Sequence, residues 1–172
     1  MLFNSFDFAI FLPTAYLLYW FVFNRNVKIR NVFLLIVSYV FYGFWDWRFL
    51  SLILISSLMD YFLALAISQT PETNERKRKF MLVLSLVLNL GFLGFFKYYN
   101  FFVESFVSTF ALFGKEFNYS PLNIILPVGI SFYTFQSLSY TLDVYFKKME
   151  PTRKLVNFLA FVSFFPQLVA GP

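Results

Sequence analysis

The sequence predicts an all-α, polytopic transmembrane bundle of about six membrane segments plus one interfacial amphipathic helix, forming a single membrane domain over 1–172. Three observations predict it. The chain is 59% hydrophobic and only 13% charged, about half the charged share of a soluble domain. Mean hydropathy is +0.67, too high for a surface that must face water. The charges cluster between long apolar runs, several of which approach the roughly 20 residues that cross a bilayer core about 30 Å thick.

The first run, 8–23, is not a cleavable signal peptide. Asp7 stands where a basic n-region belongs, Pro13 interrupts the run, and Trp20-Phe21-Val22-Phe23 offers no small-residue cleavage site. It reads as a retained anchor. The second, third and fourth runs cover 31–44, 49–67 and 80–96. The fifth covers 122–142 and the sixth 155–171. Shorter runs need tilt, local thinning or snorkelling to span. The stretch 97–120 mixes Tyr98, Tyr99, Phe101, Phe102, Phe106 and Phe110 with Glu104, Ser105, Ser108 and Thr109, so an amphipathic helix in the outer interface is expected there. A spanning helix is the alternative, and it would invert everything after it.

Basic residues fix the orientation. Arg25, Lys28 and Arg30, then Arg76 to Lys79, then Lys147, Lys148, Arg153 and Lys154 fall on one side if all six runs span. Only Arg48, Lys97 and Lys115 fall on the other. The loops 24–30, 68–79 and 143–154 are therefore expected in the cytoplasm and the N-terminus outside, in a cell inner membrane with lipid as a partner. Trp45, Trp47, Tyr98 and Tyr99 suit the headgroup level. The net charge of +5 is explained by this topology, so no nucleic-acid partner is expected.

The chain has no His and no Cys. That excludes thiolate and imidazole metal ligands, a cysteine nucleophile and the usual neutral-pH base. No metal site and no bound cofactor are expected. No P-loop, dinucleotide fingerprint or nucleophile elbow is present.

Polar residues inside the runs are the remaining candidates. Asp60 is the one charged residue deep within a run, and helical spacing places Ser56, Ser57, Ala64 and Ser68 on its face. A carboxylate in hydrocarbon costs at least about 2.5–3.5 kcal/mol, so this face meets protein or water. It reads as a small-residue packing face with a hydrogen-bonded Asp ahead of a polar substrate path. In the fifth run Gly129, Phe132, Tyr133, Gln136, Ser139, Tyr140 and Asp143 recur every three or four residues after Pro127. That stripe fits a cavity wall beside a broken helix and fits ordinary interhelical hydrogen bonding equally. Asn89, Gly91 and Gly94 permit close helix approach in the fourth run, and Pro166 interrupts the sixth.

From Leu126 the chain reads Leu-Pro-Val-Gly-Ile-Ser-Phe-Tyr-Thr-Phe-Gln-Ser-Leu-Ser-Tyr, then Thr-Leu-Asp-Val-Tyr at 141–145 and Phe-Val-Ser-Phe-Phe-Pro-Gln-Leu-Val-Ala-Gly-Pro at 161–172. Earlier pieces are Phe11-Leu12-Pro13, Arg30-Asn31, Ser38-Tyr39-Val40-Phe41-Tyr42 and Phe96-Lys97-Tyr98-Tyr99-Asn100-Phe101. In this order they resemble the membrane-bound O-acyltransferase family, especially its bacterial alginate O-acetyltransferase type, across essentially the whole chain. The resemblance implies acyl transfer to a hydroxyl of an exported polysaccharide or cell-wall polymer. It also implies acetyl-CoA as donor and an extracytoplasmic partner protein. The family's catalytic histidine is expected downstream of the part represented here, so the chain is expected to be an N-terminal portion truncated after Pro172 and inactive alone. Gln167 stands where some relatives carry His. No catalytic residue is assigned. Tyr133, Gln136 and Asp143 are the expected wall positions of an acyl-transfer tunnel. D-alanyl transfer to teichoic acid, a non-catalytic scaffold and a small transporter are the alternative functions.

Overall fold

A computed structural model describes residues 5–23, 26–44, 46–112 and 127–170. Among them every regular element is helical. α1 (Phe6–Leu17) runs on into a π turn, Leu18–Val22. α2 is Val27–Gly43, α3 is Trp47–Gln69 and α4 is Glu75–Leu93. A second π turn, Gly94–Tyr98, joins α4 directly to α5, Tyr99–Leu112. α6 is Ile130–Tyr145, α7 is Leu155–Val162 and α8 is Phe165–Ala170.

Local chemistry sets the helix starts. Ser5, Asn26, Asp46 and Asn74 each accept a hydrogen bond from an amide in the first turn of α1, α2, α3 and α4, which satisfies donors that have no intrahelical partner. Asp46 also binds the Arg48 side chain at 2.6 Å, and these bonds hold its carboxyl below the usual aspartate range. α6 starts differently. Pro127 opens a turn, the Ile130 amide donates to the Pro127 carbonyl at 3.3 Å, and Gly129 takes a left-handed φ of 74°. The break expected at Pro127 is thus a helix start.

α3, α4 and α6 pack together at the centre, and α2 packs against α3, α7 and α8. Their shared faces are small and polar: Ser56, Ser57 and Ala64 on α3, Ser85 and Asn89 on α4, Thr134, Ser137 and Thr141 on α6, all buried. Large apolar side chains such as Phe62, Phe80, Val87 and Phe135 point outward. This inversion suits a lipid surround, where close approach and interhelical hydrogen bonds replace the hydrophobic effect as the packing force. α1 joins through rings, with Phe8 and Phe11 against Phe41 at centroid distances of 5.8 and 5.5 Å.

Two helices are long and apolar enough to cross a membrane, Trp47–Gln69 and Glu72–Thr109. Phe6–Val22 and Leu155–Leu168 are apolar but shorter. The expected six-span arrangement is therefore shown only as an all-helical fold with two clear spans. The stretch 97–120, expected as an interfacial helix, is helical as far as Leu112 and is continuous with α4. No break follows Phe96, because the chain there has neither Pro nor a competing cap, and the helix continues through Lys97 to Leu112. The continuous helix Glu72–Thr109, 38 residues, is roughly 57 Å long, well beyond one bilayer core. The sixth run also divides. Pro166 has no amide to continue α7, and the Phe165 amide donates instead to Ser38 Oγ at 3.2 Å. Arg25, Trp45, Lys115, 113–126 and 171–172 lie outside the described residues.

Gly129 is where α6 meets α8. A Cβ added there would sit 2.3 Å from the Leu168 carbonyl oxygen. Gly129→Ala therefore combines left-handed strain with a backbone clash, and a loss of about 2–4 kcal/mol is expected. Thermal unfolding in detergent checks this. A melting temperature equal to wild type would show that the contact is absent.

Candidate functional site

Two polar arrangements meet at α6. The first centres on Asp60, which is fully buried. Its Oδ1 accepts from Ser85 Oγ at 2.6 Å and from Asn89 Nδ2 at 2.9 Å, and Oδ2 accepts from the same amide at 2.9 Å. The Ser137 hydroxyl of α6 interacts with the same carboxyl group. One side chain therefore binds α3 to α4 and to α6. Of the neighbours expected on its face, Ser56, Ser57 and Ala64 are buried with it, whereas Ser68 is exposed and turns its hydroxyl back to the Leu65 carbonyl. With the Ser85 hydroxyl and the Asn89 amide of α4 bonded to the carboxyl group, the cluster acts as an interhelical lock.

The second arrangement is a groove of about 750 Å³ between α6 and α7. Phe132, Phe135, Phe158 and Phe161 are in its apolar wall, and Gln136 and Asp143 are among its polar members. Gln136 Nε2 donates to the Phe161 carbonyl at 3.0 Å, which ties α7 to α6 and fixes the amide. Its Oε1 is buried and has no partner among the described residues. The Asp143 carboxylate is half-buried and likewise has no hydrogen-bond or ion-pair partner among them. Tyr140 closes one side, its ring 4.6 Å from that of Phe158 and its hydroxyl accepting from the Thr152 amide at 3.0 Å. The groove is thus an apolar channel with two free acceptors, able to hold a slender apolar group while receiving O–H or N–H donors.

Of the three expected wall residues, the structure brings Gln136 and Asp143 together in the groove. Tyr133 stands apart. It is buried, 1% exposed, on the face turned toward α2 and Tyr42, and its hydroxyl has no partner among the described residues. Asn157 and Thr152, which the stripe on the fifth run did not include, also line the groove. Asn157 Oδ1 accepts from Asn31 Nδ2 at 3.0 Å. The amide pairing was not legible because its members lie on separate helices. Among the described residues no cluster of His, Cys, Asp and Glu could hold a metal ion.

Comparison with known proteins bears on what such a groove serves. The whole chain aligns with a probable alginate O-acetylase of Azotobacter vinelandii at 40% identity and with one of Pseudomonas aeruginosa at 40%. It also aligns with a peptidoglycan O-acetyltransferase of Helicobacter pylori at 36%. The chain is a homologue of bacterial O-acetyltransferases. It covers 34%, 32% and 36% of those proteins, so it spans about a third of the length of these O-acetyltransferase relatives. No family model matches it, and no solved structure matches it.

The lock and the unpartnered hydroxyl have opposite expected responses. Asp60→Ala strands the Ser85 and Asn89 donors and should cost about 2–5 kcal/mol. Tyr133→Phe removes a buried hydroxyl without a partner among the described residues, and should leave stability unchanged or raise it by up to about 1 kcal/mol. Unfolding of the two variants side by side checks both. A Tyr133→Phe loss as large as that of Asp60→Ala would contradict the assignment.

Proposed function

We propose that this chain is the N-terminal part of a membrane-bound O-acyltransferase that moves acetyl groups to an exported polysaccharide or cell-wall polymer. The observation that carries the proposal is the full-length alignment with O-acetyltransferases named for alginate and for peptidoglycan. Two chemically different polymers among the relatives make the shared element a hydroxyl acceptor rather than a particular sugar.

The groove supplies what this chain's residues contribute. Transfer forms a bond between the acceptor hydroxyl oxygen and the acetyl carbonyl carbon, breaks the donor thioester, and sends the hydroxyl proton to a base. With acetyl-CoA as donor the thiolate leaves. The resemblance implies a histidine base, and this chain holds no histidine; in this proposal the base lies on the rest of the protein, with this chain inactive alone. Gln136 and Asp143 accept hydrogen bonds and orient the reacting group, and the four phenylalanines exclude water, which supports an effectively intramolecular reaction. An extracytoplasmic partner passes the acetyl group onward or presents the polymer. The N-terminus lies outside an inner membrane, and loops 24–30, 68–79 and 143–154 lie in the cytoplasm.

In the full-length protein, Gln136→Ala and Asp143→Asn should each lower polymer acetyl content by about tenfold or more, read as acetate released by mild base. Tyr133→Phe should leave it unchanged. Full acetylation in both groove variants sinks the groove's role, and acetylation by residues 1–172 alone sinks the division of labour.

The absence of Cys makes the topology directly testable. In right-side-out vesicles, Asp7→Cys should react with a membrane-impermeant maleimide, whereas Glu75→Cys should react only after permeabilisation. The reverse pattern overturns the orientation.

A further inference from the structure

A second pocket, of about 660 Å³, lies where the end of α3 turns into α4 and α6 runs out. It shares only Met149 with the groove. Thr70, Glu72, Arg78, Lys147, Lys148 and Glu150 are its principal polar lining, so two basic loops far apart in sequence converge on it.

Three features show how its cations are held. Arg78 is anchored on one side only. Its Nη2 donates to the Tyr145 carbonyl at 2.8 Å and its guanidinium carbon lies 5.2 Å from the Tyr145 ring centroid, while Nε is buried with no partner among the described residues. A guanidinium fixed in this way presents a preorganised donor fork, the geometry that matches phosphate oxygens. Lys147 ends α6 in the left-handed region, φ 58°, the one non-glycine residue among those described with a positive φ. That turn is closed by the Lys148 amide donating to the Asp143 carbonyl at 2.8 Å, and it delivers Lys147 to Glu72 on the opposite loop, where the two form an ion pair. The Lys148 ammonium has no partner among the described residues.

Glu72 is the informative member. Its carboxylate pairs with Lys147 and lies within electrostatic reach of Arg78, so a monoanion already sits between the two cations. Its side chain is 74% exposed, and an exposed pair of this kind is weak and readily exchanged. A phosphate carries more charge and more acceptor oxygens than a carboxylate. It could occupy the same place while also reaching Arg78 Nε and Lys148.

We propose that this pocket is a phosphate-binding site, with Arg78, Lys147 and Lys148 as its cations and Glu72 as the carboxylate that holds Lys147 until a phosphate displaces it. The ligand is a phosphate ester, supplied either by a soluble molecule or by an anionic lipid headgroup. Glu150 opposes binding and sets a limit on affinity. The site does not depend on acyl transfer.

The test is thermophoresis of the detergent-solubilised chain titrated with pyrophosphate, with dioctanoyl phosphatidylglycerol and with dioctanoyl phosphatidylcholine. Lys148→Ala, at an exposed position, and Arg78→Lys, which keeps the charge and loses the fork, should each weaken binding by about tenfold. Glu72→Gln should tighten it by several-fold, the opposite of what loss of a structural ion pair would do. Saturable binding of pyrophosphate identifies a soluble phosphate ligand. Binding of phosphatidylglycerol alone, over phosphatidylcholine, identifies a headgroup. Binding of neither, or equal affinities in wild type and all three variants, overturns the proposal.

Discussion

The Asp60 carboxyl group is the constraint on which the rest of the bundle depends. In hydrocarbon a carboxylate is costly to bury, and the fold answers with an amide and a hydroxyl from α4 and with Ser137 of α6 beside it. Each donor must be small, because α3, α4 and α6 have to approach closely for a 2.6–2.9 Å bond to form. That requirement accounts for the serines, alanine and threonines on the shared faces. It also fixes rotation: with Ser137 turned inward to Asp60, the opposite side of α6 is turned outward.

The groove follows from that rotation. Gln136 and Asp143 are seven residues apart, about 20° apart around a helix at 100° per residue, and both fall on the outward side once Ser137 is committed to the lock. α7 then covers this side, held by the Gln136 bond to the Phe161 carbonyl. The other end of α6 is pinned by Gly129 against the Leu168 carbonyl. The chain so places two free acceptors at a defined depth, between a polar lock behind them and a phenylalanine wall in front.

Much of this was legible in the sequence, and the misses share a cause. Apolar runs located most helices to within a few residues, since that signal is local. The Asp60 face was legible because Ser56, Ser57 and Ala64 lie within about 60° of it on the helix. Ser68, eight residues on, has drifted about 80°, which is why it is exposed. The same drift divides the stripe on α6. Tyr133 is about 80° from Asp143, so a spacing of three or four sustained over ten residues describes two seams rather than one. The helix after Lys97 was expected, but not its continuity with α4, because a polar stretch resembles a boundary while a helix ends only where a breaker or cap intervenes. Pairings across loops, such as Asn31 with Asn157 or Glu72 with Lys147, carry no local signal at all.

The two pockets divide the chemistry by charge. The groove beside α7 has acceptors and no cation in its lining, so it favours neutral groups that donate hydrogen bonds. The pocket at the end of α6 has three cations and favours anions. α6 connects them directly: Asp143 lines the groove with its side chain, while its carbonyl receives the Lys148 amide that shapes the second pocket. A ligand that carries phosphate at one end and a slender apolar group at the other would find both chemistries along one helix. The left-handed turn at Lys147, closed by the Lys148 amide on the Asp143 carbonyl, is the backbone link between them.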